Sequence, residues 1–407
     1  MRRWYRVARW GVVLGALGWA MSVGGGPAAS AAEIKVPTRA VQAAALSHVP
    51  AVARKYYDHY WYNAPVTTNP YANWTPPKPP WQVCDSDSML GTSWRTDLFN
   101  EIKKLNAQYH KAGLTKAKVL VTDSNNNISV QLTQVNNLSR EGCNIIISTP
   151  SNPTGLCQGF HDSRMQGVLN ITVESPVTCN EAINVGANQY YGGRELAAWV
   201  GKELKGKGNV LILSGVPGIS TTIGLQAGSK AALAKWPGIH VLGVVYGFWN
   251  EATAKTQMVK WLATHPEKID GIVSYGDMAV AADEALKQFG RPLAVQSDGT
   301  NECAYIAYWH EHKLHSFALL AGGGSNGYEA FYVAMKMMFG QKPTTNMIWV
   351  PLPPINDAEA ARLYKLYPGI TQTSTCWADE PNHHLVADSY INQFFKGGKK
   401  VEPRPNP

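Results

Sequence analysis

Residues 209–277 read NVLILSGVPGISTTIGLQAGSKAALAKWPGIHVLGVVYGFWNEATAKTQMVKWLATHPEKIDGIVSYGD. Three short apolar runs stand out in it: NVLILSG (209–215), VLGVVYG (241–247) and IDGIVSYGD (269–277). Each is rich in Val and Ile, too short for a core helix, and closed by Gly or Asp, so each is predicted to be a strand. The segments between them, about 221–235 and 251–263, have helical length. Strands alternating with helices at this spacing form βαβ units and a parallel sheet. Runs that are apolar at successive positions, not at alternate ones, imply a sheet covered on both faces.

The alternation continues in both directions. Downstream, a helix at 278–289 leads to PLAVQSDG (292–299). Upstream, WQVC (81–84), KVLVTD (118–123), NIIIST (144–149) and VLNITVES (168–175) read as strands, with helices at about 93–112 and 191–204. One sheet does not comfortably hold so many strands, and the pattern is the same on either side of about residue 188. The sequence therefore predicts an α/β chain with two doubly wound parallel-sheet (Rossmann-like) domains. Ligands in such sheets sit beyond the carboxyl ends of the strands. That rule directs attention to residues 85–87, 148–152, 174–175, 215–220, 247–250, 275–277 and 297–298.

The composition sets the outer bounds. The 407 residues are 45% hydrophobic and 16% charged, enough for a large core and unlike a disordered chain. After the N-terminus no apolar run is long enough to span a bilayer. The first residues are basic (MRRWYRVAR, 1–9), then apolar (WGVVLGALGWAM, 10–21), and Ala29-Ser30-Ala31 has the small-residue form of a cleavage site. This predicts a signal peptide over 1–31 and a mature protein in the periplasm, or secreted if the source lacks an outer membrane. Arg2-Arg3 leaves general and twin-arginine export both open. Without the four arginines of that segment the net charge of +8 falls to +4, with no basic cluster, so nucleic-acid binding is not expected. No membrane insertion is expected after cleavage.

An oxidising destination makes disulfides reasonable for the six cysteines. Cys157–Cys179 and Cys303–Cys376 are the expected pairs, because each sits in a polar loop stretch; Cys84 and Cys143 lie in or beside strands and are expected to stay free. No spacing suits a metal, and His383-His384 reads as a solvated loop. Residues 32–80 read as an extension with an amphipathic stretch and a Pro-rich linker, NPYANWTPPKPP (69–80). Its aromatics Tyr56, Tyr57, Tyr60, Trp61 and Tyr62 are a carbohydrate platform or a cover for apolar surface on the main body; the second is expected.

Four segments now carry a resemblance: LTQVNNLSREGCNIIISTPSNP (132–153), SGVPGISTTIGLQAGSKAAL (214–233), SYGDMAVAADEAL (274–286) and VQSDGTNE (295–302). In that order, behind an export signal, they resemble the ribose-binding-protein-like, type I periplasmic solute-binding proteins. The resemblance covers roughly 79–345. It implies two lobes joined by a three-crossover hinge. Lobe 1 is then 81–187 plus about 319–345, and lobe 2 is 188–318 plus about 346–397, with a tail at 398–407. It further implies a monomer that captures a small molecule between the lobes and delivers it to an ABC permease, without cofactor or catalysis. A ligand-loaded partner of a chemoreceptor or histidine kinase would share the same site. An exported hydrolase using cleft carboxylates is the remaining alternative.

Site residues follow position by position from the resemblance. Asp85 and Ser86 after the first strand, Trp94, Asn152, Glu174, Asn188 and Ser220 would supply contacts from loops and crossovers. Trp249 would stack on a sugar face. Tyr275, Asp277 and Asp298 would close the second-lobe side. For several of these there is a plainer reading: Asp277 as a helix N-cap, Trp249 as core, Asp298 as a turn or cap residue, Asn188 as a hinge turn, and Glu174 as the partner of a cation. Three positions depart from ribose binders: Ile223 replaces an Arg, Tyr275 an Asn, and Ala321 a late Gln. These departures predict a less hydroxylated or aromatic solute in place of ribose.

Overall fold

The computed structural model describes residues 36–379 and 386–398. The export-signal expectation and His383-His384 lie outside them. Along the chain the elements are α1 (Arg39–Ser47), β1 (Val83–Asp87), α2 (Ser93–Lys111), β2 (Leu120–Asp123), α3 (Ile128–Arg140), β3 (Ile145–Thr149), α4 (Cys157–Met165), β4 (Leu169–Val173) and β5 (Ile183–Ala187). A second series follows: α5 (Gln189–Glu203), β6 (Lys207–Ser214), α6 (Ser220–Leu233), β7 (Gly238–Tyr246), α7 (Glu251–Thr264), β8 (Gly271–Ser274), α8 (Ala279–Gln288), β9 (Val295–Asp298), α9 (Cys303–His312) and β10 (Phe317–Leu319). The rest comprises α10 (Gly323–Met338), β11 (Lys342–Pro343), β12 (Met347–Val350), β13 (Pro354–Ile355), α11 (Asp357–Leu366), α12 (Asp388–Asn392) and β14 (Phe395–Lys396).

The strands form two six-stranded sheets, ordered β12-β5-β4-β3-β1-β2 and β13-β10-β9-β8-β6-β7. All pairings within them are parallel except β10–β13. Each sheet reverses its order between its first and third strands, β1/β3 and β6/β8, and that switch point is where doubly wound folds bind ligands. Every residue of β1, β3, β4, β5 and β8 is buried, as expected for strands covered by helices on both faces. The chain passes between the lobes three times: from β5 to α5, from β10 to α10, and from β12 to β13.

Three features differ from the sequence reading. First, the span 346–397 is not confined to the second lobe. β12 extends the first sheet beside β5, with Met347 opposite Asn184. β13 joins the second sheet. β14 pairs with β11, and Tyr390 donates its hydroxyl to Trp349 O at 2.7 Å. MIWV is buried and apolar at every position, which suits a covered parallel sheet.

Second, Cys84 and Cys143 are bonded to each other, with Cα atoms 6.0 Å apart. Cys84 lies on β1 and Cys143 enters β3, the strand paired with it. Neighbouring strands stand within disulfide reach. Cys157–Cys179 and Cys303–Cys376 are the other two bridges.

Third, Asp85 and Ser86 do not follow the first strand but belong to it. CDSD is paired on both sides, to β2 and β3, and both residues are fully buried.

The N-terminal segment is part of the first core. Ala45, Val49, Tyr57, Tyr60 and Tyr71 pack in the same cluster as Ile145, Ile171 and Trp349. The Tyr57 ring lies 4.7 Å from that of Trp349, and its hydroxyl donates to Met347 O at 2.6 Å. Among the aromatics read from sequence, Tyr57 and Tyr60 thus cover apolar surface of the main body.

Candidate functional site

The carboxyl ends of the two sheets face one cavity. From the first lobe it is lined by Ser88, Met89, Thr92, Trp94, Arg95 and Asn126 and, after β4, by Glu174 and Ser175, while Gln189 enters from the start of α5 in the second lobe. From the second lobe come Val216, Ile219, Thr221, Leu225, Trp249, Tyr275, Asp277 and Thr300, and the crossovers add Leu319, Ala321 and Leu352. It offers about 90 Å³ to the centres of water-sized molecules, several times the roughly 10–15 Å³ that one water needs. That space fits a small solute.

The lobes meet on both sides of this cavity. Ser93 Oγ donates to Glu302 at 3.1 Å, and Trp94 Nε1 donates to Ala321 O at 2.8 Å. On the opposite side Ser220 Oγ donates to Pro176 O at 2.6 Å and Thr221 Oγ1 to Glu174 O at 2.8 Å. Three of these bonds join the first lobe to the second and the one to Ala321 joins it to a crossover, so the cleft is closed.

Five of the sequence-predicted residues line it: Trp94, Glu174, Trp249, Tyr275 and Asp277. Three of the five have left-handed backbones, Glu174 with φ 55°, Trp249 with φ 51° and Asp277 with φ 58°. For side-chain-bearing residues that conformation is sparsely populated, and each costs on the order of 1–3 kcal/mol unless the surroundings fix it. The surroundings do fix them. Trp249 Nε1 donates to Tyr275 O at 2.9 Å, and its ring fills the space a Cβ on Gly215 would need. Asp277 accepts from Thr300 Oγ1 at 3.0 Å. Glu174 accepts from Ala187 N at 2.9 Å and from Gln189 Nε2. Gly186 leaves the room for it: a Cβ there would lie 2.7 Å from Glu174 Oε1.

The other six predicted residues sit elsewhere. Asp85 and Ser86 are in the floor of the first sheet. Asn152 closes its own loop, its Oδ1 accepting from Thr154 N and Gly155 N at 2.9 Å. Asn188 caps α5 and turns toward the N-terminal segment. Ser220 is spent on Pro176. Asp298 is fully buried and accepts from Thr300 N, Ser274 Oγ and Ala279 N, which ties the end of β9 to the start of α8. Tyr275 reaches the cavity, but its hydroxyl donates to Ser229 Oγ at 3.0 Å inside the second lobe.

Sequence reasoning missed Arg95, Asn126, Gln189 and Thr221. Arg95 is the main cation of the cleft, 3.4 Å from Asp87 and set over the Trp94 ring. It stands one position past Trp94, in the first turn of α2.

Burial dominates the electrostatics. It pushes Glu174 up to about 8, opposed by its bond from Ala187 and by Arg95. Among the described residues none donates a hydrogen bond to either carboxyl oxygen of Asp85 or Glu329, and both groups are held well above the carboxylate range by desolvation. On the second lobe, desolvation and the neighbouring Glu302 and Asp298 raise Asp277. Glu302 itself is pushed up to about 7, chiefly by burial. Polar acceptors, one guanidinium and two indoles can therefore surround a small hydroxylated guest. Among the described residues no group of three or more His, Cys, Asp or Glu is arranged to hold a metal.

Residues 89–342 match the family model described as a periplasmic binding protein domain. The chain belongs to this periplasmic binding protein family. Among curated relatives of this binding-protein chain is a xylitol-binding protein of Mycolicibacterium smegmatis, 32% identical over 173 residues, covering 41% of this chain and 49% of the relative. A ribose import binding protein of Bacillus subtilis is 26% identical over 180 residues, covering 44% of this chain and 58% of the relative. The alignments thus span half to three-fifths of those proteins.

Among solved structures, an ABC transporter solute binding protein from Mycobacterium smegmatis with bound glycerol superposes with a TM-score of 0.65 at 20% identity, over 74% of this chain and 99% of that one. One from Bacillus halodurans with bound myo-inositol gives 0.63 at 20%, over 71% and 98%. These likenesses establish the type I binding-protein fold. The resemblance read from four short segments is thereby shown.

Proposed function

We propose that this binding protein captures a small polyol or monosaccharide in the interlobe cavity and delivers it to an ABC permease after export. The observation that carries the reading is the cavity itself. It lies at the switch points of both sheets, and both lobes contribute an indole and a carboxylate: Trp94 and Glu174 from one, Trp249 and Asp277 from the other. Only a closed arrangement assembles all four, so a guest touching both lobes stabilises closure through contacts that the open state lacks. Indoles suit the apolar face of a sugar-like skeleton, and carboxyl groups, which accept hydrogen bonds and when protonated also donate them, suit its hydroxyls. The names of the relatives, xylitol and ribose, point to the same ligand class.

The sequence departures favoured a less hydroxylated or aromatic solute. The polar lining found here (Ser88, Thr92, Arg95, Asn126, Gln189, Thr221 and Thr300) supports a hydroxylated one instead. Its residues come from loops and helix starts that sequence alone did not bring together.

A thermal-shift panel of xylitol, ribose, myo-inositol, glycerol and aromatic alcohols tests this. A ligand at 100 times its Kd adds about 2.7 kcal/mol to stability, a clear rise in melting temperature. Xylitol or a near homologue is expected to give the largest rise, with Trp249→Ala abolishing it. No response to any polyol, or chemical turnover of one, would overturn the reading.

A further inference from the structure

We propose that Asn63 is a positioning residue of the cleft, and that the segment 54–64 carrying it is a strap tying the first lobe to the start of α5 in the second. Asn63 lies outside the 89–342 span of the family match. Its side chain is buried and used at both ends. Nδ2 donates to Asn188 Oδ1 at 3.0 Å, and Oδ1 accepts from Gln189 N at 3.1 Å. The next link runs into the cavity, where Gln189 Nε2 donates to Glu174 Oε2. Asn63, Gln189 and Glu174 therefore form one chain of hydrogen bonds from the strap to the cavity wall.

The strap is anchored on both lobes. Tyr57 bridges two residues along one edge of β12, donating to Met347 O at 2.6 Å and accepting from Trp349 N at 3.1 Å. On the other lobe Asn188 Nδ2 donates to Tyr56 O at 2.9 Å and Asp58 O at 2.7 Å. Arg194 pairs with Asp58 at 2.8 Å, and the rings of His59 and Tyr62 stack on Tyr190 at 4.5 and 4.9 Å. A Cβ on Gly224 of α6 would come 2.7 Å from Asn63 Oδ1, so that glycine is the space into which Asn63 fits.

The consequence is specific. Gln189 follows the first crossover directly, and its backbone would otherwise be free to turn as the lobes move. Held by Asn63, it presents its amide to Glu174, whose backbone is left-handed and whose carboxyl is buried. Loss of the Asn63 acceptor leaves the Gln189 N–H buried and unpaired, so the turn relaxes and takes the amide off Glu174.

The inference rests on the polyol reading for its affinity readout, and a ligand-free readout separates the two. Asn63→Ala, Gln189→Ala and the double variant are compared for xylitol affinity by calorimetry, with Asp58→Ala as the strap variant that does not touch the chain to Glu174. Asn63→Ala is expected to weaken binding roughly tenfold, the size of one buried hydrogen bond. In the Gln189→Ala background it should add little, because both act on the same link. Asp58→Ala should change affinity less than about twofold, as exposed ion pairs do.

In the absence of ligand, amide hydrogen exchange of Asn63→Ala should accelerate at 187–191 and also at 174–175 across the cleft. Asn63→Ser serves if the alanine variant fails to fold. Additive losses of affinity, or faster exchange confined to 54–64 and 187–191, would overturn the positioning role. If wild type ignores xylitol, the ligand choice fails while the exchange pattern still decides the role of Asn63.

Discussion

Glu174 concentrates the chemistry of the cleft in one side chain. It ends the fourth strand with φ 55°, lines the cavity, and is pushed up to about 8 by burial. Its unfolded-state pKa is near 4.5, so between about pH 4.5 and 8 the unfolded chain releases a proton that the native state keeps. The contribution to stability is therefore complete below pH 4.5 and is lost as pH rises through about 8. Replacing Glu174 by Gln should remove that decline, worth on the order of 2 kcal/mol after allowance for solvent in the cavity. Denaturant midpoints at pH 5 and pH 8 check it, and equal pH slopes in wild type and variant would refute it. The residue was legible because a carboxylate at a strand end is unusual in an apolar run. Arg95 was not, because a basic residue in the first turn of a helix is ordinary until the sheet places that turn at a switch point. Asp298 illustrates the reverse error. An acid at a strand end was read as a ligand contact, yet backbone amides of Thr300 and Ala279 claim both its oxygens.

At the scale of elements, periodicity carried the strands well, since covered parallel strands are written as continuous apolar runs and helices between them as amphipathic ones. What periodicity could not carry was pairing. MIWV at 347–350 is a buried strand in any reading, but only three-dimensional closure decides that it extends the first sheet beside β5. The same holds for Cys84 and Cys143, which lie 59 residues apart and become neighbours only through the β1–β3 register. Closing a loop of that length restricts the unfolded chain by about 4 kcal/mol in the entropy model. Cys84→Ala with Cys143→Ala should therefore cost about that much, and more than removal of Cys157–Cys179, which closes only 22 residues. Unfolding midpoints of the two double variants give the comparison, and a larger loss from the shorter loop would contradict it.

The whole molecule adds a linkage between lobe closure and protons. Glu302, at the start of α9, accepts from Ser93 of the first lobe across the closed cleft. Burial pushes it up to about 7, with Asp298 and Glu251 adding like-charge repulsion. Asp277, facing the cavity, is raised by the same causes. When the lobes part, water returns to both carboxyls and their pKa values fall back toward about 4–4.5. The closed state thus binds protons more tightly than the open one. Its advantage is full below the ordinary carboxylate range and is lost as pH rises through about 7. Ligand-free protein should accordingly be more compact at pH 5 than at pH 8, seen as a smaller radius of gyration in solution X-ray scattering. Glu302→Gln keeps an acceptor for Ser93 and carries no charge at either pH, so it should narrow the difference and favour closure at pH 8. A radius independent of pH, or one that shrinks as pH rises, would show that the cleft carboxyls do not govern the hinge.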